Sequence, residues 1–174
     1  MSDVLRAPHE MEYTYTRSVG PVIERFFAGL GEHRMQGIKG SDGKVIVPPT
    51  EYDPYTGEAL SEFVDVGDAG TVTTWAWVTD PRPGQPLDKQ FAWALVKLDG
   101  ADTAMLHAVD AGDESKMSTG MRVKVRWTED NVPDMSSIAC FEPSPADPPR
   151  SARSAERFGA EHRSAGSDGE PETT

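Results

Sequence analysis

Four positions in this chain sit where the ligands of a structural zinc belong. The segment runs Lys39-Gly40-Ser41-Asp42-Gly43-Lys44, then Val47-Pro48-Pro49, then Asp53-Pro54-Tyr55-Thr56-Gly57. It matches the two-knuckle spacing C-x-x-C-G, an apolar-Pro-Pro, then C-P-x-C-G, with Lys39, Asp42, Asp53 and Thr56 at the four cysteine places. A structural zinc takes four deprotonated sulfur or nitrogen donors. Neither Lys nor Thr is such a donor, so the expectation is a knuckle that keeps its turns without a metal. Asp42 and Asp53 alone, in a Gly-rich turn with no further oxygen donors at fixed spacing, make a weak site for a hard cation.

The other reactive residue types do not assemble into a catalytic set. His9, His33, His107 and His162 are scattered, and none has a partner at metal-ligand spacing. His107, between Leu106 and Ala108, reads as a hydrogen-bonded structural histidine in a strand. Cys140 is the one cysteine, so an intrachain disulfide is excluded. In the apolar run Ser137–Phe141 it reads as a small buried hydrophobe. The pairs Asp110/Asp113 and Asp130/Asp134 read as solvated loop residues. Gly67-Asp68-Ala69-Gly70-Thr71 lies between strands and reads as a tight turn, not a phosphate cradle.

The balance of charge narrows the partners. The chain has 174 residues, with 29 acids against 17 Lys and Arg and a formal net charge of −12. A nucleic-acid binder needs a basic track to displace counterions, and an anionic membrane surface repels this chain for the same reason. The expected partners therefore include neither nucleic acid nor membrane. With no signal-like start and no apolar run long enough to span a bilayer, a cytoplasmic location is the default expectation.

Several elements must position these residues. Residues 1–19 read as an N-terminal arm, extended at Tyr13-Thr14-Tyr15-Thr16-Arg17. Pro21 opens a helix in which Val22, Ile23, Phe26, Phe27 and Leu30 recur at helical spacing. Phe26 and Phe27 are adjacent, which leaves two readings: a helix buried on a wide face, or one ring covered by a partner protein. Residues 20–60 hold this helix and the knuckle. Residues 61–143 hold short strands: Ser61–Val66, Thr71–Val78, Phe91–Leu98, Ala104–Val109, Met121–Trp127 and Ile138–Phe141, with a stiff loop at Asp80–Pro86 and a short helical turn within Asp113–Thr119. Five or six short strands without interleaved long helices predict a mainly β chain built on a small closed barrel. Trp75 and Trp77 share a strand face, as core packing or as a platform for a flat ligand. Residues 144–174, rich in Ser, Ala, Gly, Pro, Glu and Arg, read as a disordered tail.

The order of these pieces resembles a family in which a zinc ribbon precedes an OB-fold and which acts with thiolase-like enzymes on acyl-CoA substrates. The resemblance rests on the helix Val22–Leu30, on the knuckle with Val47-Pro48-Pro49, Gly43 and Gly57, and on Gly70-Thr71-Val72. It rests further on Phe91–Leu98 with Leu106-His107-Ala108-Val109-Asp110 and Gly120-Met121-Arg122-Val123-Lys124-Val125. The matches cover about residues 20–143, and the N-terminal Tyr13–Pro21 stretch looks like the bacterial steroid-associated branch. The departure is the loss of all four zinc cysteines, so the family's metal does not carry over. The resemblance implies an N-terminal helix and degenerate ribbon before an OB-fold barrel. It also implies a non-catalytic accessory subunit, in a hetero-oligomer with a thiolase-fold or lipid-transfer-type enzyme, such as an aldolase acting on steroid side-chain CoA thioesters. Acyl-CoA would be the substrate of the complex, with no cofactor in this chain. On that reading Val22, Phe26, Phe27 and Leu30 are candidates for the partner interface. Arg82, Lys89 and Trp77 are candidates for ligand contact, the two cations toward CoA phosphates. The competing expectations are a stand-alone acyl-CoA or lipid binding module and a small enzyme such as a hydratase.

Overall fold

The computed structural model describes residues 7–13 and 18–144. The expected tail from 145 onward, and most of the Tyr13–Arg17 stretch, lie outside the described residues. Among the described residues, no helix is long and apolar enough to cross a membrane.

Helix α1 (Pro21–Gly31) begins where Pro fits best, at the first turn, where a missing N–H costs no hydrogen bond. Its N-cap is Gly20, which has no side chain to cap with. Glu51 does that work from the knuckle, its Oε1 accepting from Val22 N at 3.1 Å. The helix ends with two bonds that satisfy its last carbonyls, Arg34 N to Gly29 O and His33 N to Leu30 O. His33 takes the left-handed conformation that this ending requires, φ 55°. Its ring stacks on Trp127 at 5.0 Å.

Three short strands follow: β1 (Gln36–Lys39), β2 (Val45–Ile46) and β3 (Phe63–Asp65), antiparallel in the order β2-β1-β3. Strand β3 was expected in the barrel run. It pairs instead with β1, through Gln36–Asp65, Gly37–Val64 and Ile38–Phe63. The physical reason is reach: the barrel order is already closed by five longer strands, whereas β1 has a free edge.

Those strands are β4 (Ala69–Val78), β5 (Phe91–Leu98), β6 (Met105–Val109), β7 (Arg122–Trp127) and β8 (Ile138–Pro143). They form a closed barrel in the order β4-β5-β6-β8-β7, with β7 returning to β4. All neighbours are antiparallel except β6 and β8. Single-turn 3-10 helices at Glu114–Lys116 and Met135–Ser137 serve the connections, their starts capped by Asp113 and Asp134. The chain is thus mainly β, with one helix and a five-stranded barrel of OB-fold type, as the strand pattern predicts.

Closure forces alternate residues inward. Val72, Ala92, Ala94, Val96, Leu98, Met105, Val109, Val123, Val125 and Phe141 fill the interior. A bulge between Val72 and Thr74 shifts the phase of β4 by one residue. Trp75 and Trp77 therefore turn toward the core and pack against it. Phe26 and Leu30 of α1 join the same cluster, so the helix plugs onto the barrel rather than standing apart.

Phe26 is almost wholly buried. Phe26→Ala is expected to cost about 3–5 kcal/mol, read as a shift in the urea unfolding midpoint at unchanged slope. A loss well under 1 kcal/mol would mean that the helix is not part of this core.

Candidate functional site

The knuckle is two tight turns. In the first, Gly40 N donates to Lys44 O at 2.8 Å and Gly43 N to Gly40 O at 3.0 Å. In the second, Gly57 N donates to Asp53 O at 3.0 Å and Asp53 N to Glu58 O at 2.8 Å. Gly43 and Gly57 have φ 80° and 73°, which residues with a Cβ rarely adopt.

What joins the turns is the Asp53 carboxylate, only 3% exposed. Its Oδ2 accepts from Ser41 N of the first turn at 2.7 Å. Its Oδ1 accepts from Tyr55 N at 2.8 Å and Thr56 N at 2.9 Å, both in the second. These N–H bonds, the one from Ser41 foremost and then those from Thr56 and Tyr55, hold the Asp53 carboxyl far below the usual carboxylate range. Gly40 is needed beside it, because a Cβ there would stand 3.3 Å from both Asp53 Oδ2 and Asp42 Oδ1.

The residues at the zinc-ligand places do not fit zinc. Lys39 Nζ pairs with Glu62 at 3.2 Å. Asp42 accepts from Lys44 N and pairs with Lys44 Nζ at 2.7 Å, and that side-chain bond leads the causes that lower its pKa. Thr56 Oγ1 accepts from Glu58 N. Both oxygens of Asp53 are already taken by backbone N–H groups. No site among the described residues gathers three or more His, Cys, Asp or Glu side chains for a metal ion.

The expected partner-facing residues of the helix are placed elsewhere. Val22, Phe26 and Leu30 are buried in the chain's own structure, because α1 turns this face onto β1 and onto the end of the barrel. They are not available to a partner. Phe27 is half-buried, packed against the core beside Phe26 at 6.1 Å between ring centroids.

The three ligand-contact candidates lie apart. Arg82 is exposed in the stiff loop, whose turn is set by Gln85: its Oε1 accepts from Arg82 N at 2.8 Å, and its N donates back to Arg82 O. Trp77 faces the core as part of the barrel wall, not a platform. Lys89 Nζ pairs at 2.8 Å with Asp110, which also accepts from Arg126 at 3.1 Å. Burial pushes the Asp110 carboxyl up, but hydrogen bonds and charges from Lys89 and Arg126 outweigh that and leave it lowered. The charge of Lys89 is therefore compensated at the protein surface.

Sequence reasoning missed two features. One is the polar cluster at this end of the barrel, where Asp110, Arg126 and Cys140 gather, with the inward-facing His107 on the same strand β6. Burial pushes the Cys140 thiol up. His107 stands edge-on to Phe141 at 5.8 Å, with Nδ1 buried and without a hydrogen-bond partner. It is thus not the fully hydrogen-bonded histidine that the strand pattern suggests. The other feature is the outer wall of β4, β5 and β6, where Leu95 and Leu106 are exposed directly opposite each other. Cross-strand register was the only signal for that pair, and register is not readable from one strand at a time.

The architecture defines an OB-fold barrel behind a small ribbon-like sheet. Residues 63–128 match the model of the family described as the C-terminal OB-fold domain of ChsH2. Among solved structures, the chain is similar to one titled as the Ltp2-ChsH2(DUF35) aldolase. That likeness has a TM-score of 0.56 and 18% identity, and it covers 74% of this chain and 98% of that one. It is also similar to a DUF35-family protein of unknown function from Sulfolobus solfataricus, at TM-score 0.54 and 19% identity over 72% of this chain and 85% of the other. No curated protein matches the chain.

Three outcomes test this geometry. Because the Asp53 pKa is depressed in the fold, its contribution is present above the ordinary carboxylate pKa of about 4 and is lost as pH falls below it. Asp53→Ala is expected to lower the melting temperature by several degrees at pH 7 and to lose that difference in acid. Elemental analysis of the purified protein is expected to find no stoichiometric zinc, and a full equivalent overturns this account of the knuckle. For His107, burial lowers the pKa. Stability is therefore full above the unfolded value of about 6.5 and declines as pH falls below it. His107→Gln is expected to flatten the stability profile between about pH 7 and pH 5, measured by urea unfolding at each pH.

Proposed function

We propose that this chain is a non-catalytic accessory subunit of a thiolase-fold acyl-CoA enzyme. The enzyme of this reading is a lipid-transfer-type aldolase acting on steroid side-chain CoA thioesters. The single observation that supports the reading is the match of residues 63–128, which hold most of the barrel, to the model of the ChsH2 C-terminal OB-fold domain. A structural relative of similar architecture is titled as part of an aldolase with Ltp2.

The chemistry of the described residues supports a helper role. The groups with the clearest electrostatic shifts are engaged in holding the fold. Asp53 ties two turns, Asp110 joins the loop to β7 through Lys89 and Arg126, and Asp113 and Asp134 cap single turns. Cys140 is buried with its thiol favoured, which makes it a poor nucleophile. On this reading the reacting groups come from the enzyme subunit, and this chain shapes the surface beside the acyl-CoA. Arg82, exposed and free of ion pairs to other described residues, is the cation left to meet a CoA phosphate. Lys89 already serves Asp110.

The test is to co-express the full chain with a lipid-transfer-type thiolase-fold subunit, tagged on the enzyme alone. Stoichiometric co-purification is expected, with retro-aldol cleavage of a steroid side-chain CoA thioester only in the presence of the enzyme subunit. Turnover by this chain alone overturns the reading. A chain that ignores the enzyme but binds acyl-CoA by itself is a stand-alone binding module instead.

A further inference from the structure

We propose that the loop between β4 and β5 is a strap, hinged at its base and held shut across the outside of the barrel by Leu87 and Lys89, which lifts while the barrel stays folded. The device belongs to this chain alone and stands whether or not the enzyme reading does.

The cover is visible in what it buries. On β5, Ala92, Ala94 and Val96 point into the barrel, so Phe91 and Trp93 point out. Met105 and Val109 of β6 and Phe141 of β8 also face the interior, which turns Ala108 and Cys140 outward. An outward residue of a barrel wall meets solvent unless something lies over it. Yet Phe91, Ala108 and Cys140 are each 0% exposed and form a cluster of their own, on which Val78, Leu87 and Trp93 pack. Val78 and Trp93 come from the wall itself; Leu87 comes from the loop. The chain therefore folds part of residues 79–90 back over its own barrel.

The loop is built to move as one piece. Its base is pinned by the last register pair of the two strands, Val78–Phe91. Gln90 Nε2 adds a bond there, donating to Thr79 O at 3.1 Å. Above the base, Pro81, Pro83 and Pro86 fix three φ angles, and the Arg82–Gln85 turn is closed by two hydrogen bonds. Two contacts among the described residues hold the loop to the wall. One is Leu87, half-buried on the cluster. The other is the ion pair of Lys89 with Asp110 at 2.8 Å.

The ionic contact is made to release. The Lys89 side chain is 58% exposed, and a pair with so exposed a member is weak and screened by salt. Asp110 has only 8% of its side chain exposed, and a carboxylate that buried is costly to leave unpaired. It is not left so, because Arg126 Nη1 lies 3.1 Å from the same oxygen, Oδ2. Arg126 stays on β7 when the loop lifts and keeps the charge compensated. Ionic strength is therefore the input to which the strap responds. Segments with few apolar contacts and a solvated backbone open locally, ahead of global unfolding.

Cys140 reports the position of the strap, since it is the chain's one cysteine and lies under the cover. The experiment follows its labelling by a maleimide in the full chain. Slow labelling is expected, at a rate nearly independent of urea below the unfolding transition, as an opening that exposes little surface requires. The rate is expected to rise with salt. Leu87→Ala is expected to speed labelling about tenfold. Lys89→Ala is expected to speed it severalfold and to abolish the salt dependence. Lys97→Ala, which removes an exposed cation from the far end of β5, is expected to label as the unaltered chain does. Labelling that tracks global unfolding with the full urea slope, in the unaltered chain and in both loop variants, overturns the strap. So does a Lys89→Ala chain that keeps the salt dependence. If Leu87→Ala does not fold, Lys89→Ala decides by these two readouts, because the side chain it removes is exposed.

Discussion

Closure of the barrel is the constraint on which the rest depends. Once β7 returns to β4, every strand has two neighbours and no backbone edge is left open among the five. Side chains must then divide strictly between inside and outside. The inside is filled by Ala92, Ala94, Val96, Val109, Val123 and Val125, small and branched residues that suit the narrow interior of a small barrel. The outside becomes informative for the same reason. A leucine there is not left over from a loosely packed core; it has been turned to solvent by the same alternation that buried its neighbours.

The knuckle poses the opposite problem. It has little core of its own, and a ribbon of this shape commonly draws its rigidity from four metal–ligand bonds. Here one buried carboxylate crosslinks the turns through three backbone N–H groups. The substitution is chemically sensible. A carboxylate that accepts several backbone N–H bonds is strongly favoured in its charged form, so it anchors both turns near neutral pH. The stability of the segment then answers to acid. Glu51 extends the connection by capping α1, which ties the helix to the knuckle and, through Phe26 and Leu30, to the barrel.

Much of the candidate surface was beyond the reach of periodicity. The helix was legible because Val22, Phe26 and Leu30 recur every four residues. What the spacing did not reveal is that this face is consumed by the chain's own core. Trp75 and Trp77 were legible as strand residues, but the bulge after Val72 decided which way they face. Lys89 reads as a free cation in sequence, and its partner Asp110 lies just past the end of β6, twenty-one positions away. The exposed pair Leu95 and Leu106 is invisible to any single-strand pattern, since its meaning comes from cross-strand register.

The sequence by itself determined the local choices. Pro21 places the helix start, Gly43 and Gly57 permit the two left-handed turns, β-branched and aromatic runs select the strands, and the absence of cysteine at four positions removes zinc thiolate ligation. Each of these follows from the covalent character of one or a few adjacent residues. Only the tertiary structure decided that β3 leaves the barrel for the small sheet, that Asp53 reaches across to Ser41, that Asp110 gathers Lys89 and Arg126, and which wall of the barrel stays apolar outside. Those outcomes depend on which distant segments meet and in what register, and strand pairing is chosen by the packing of the whole, not by any segment alone.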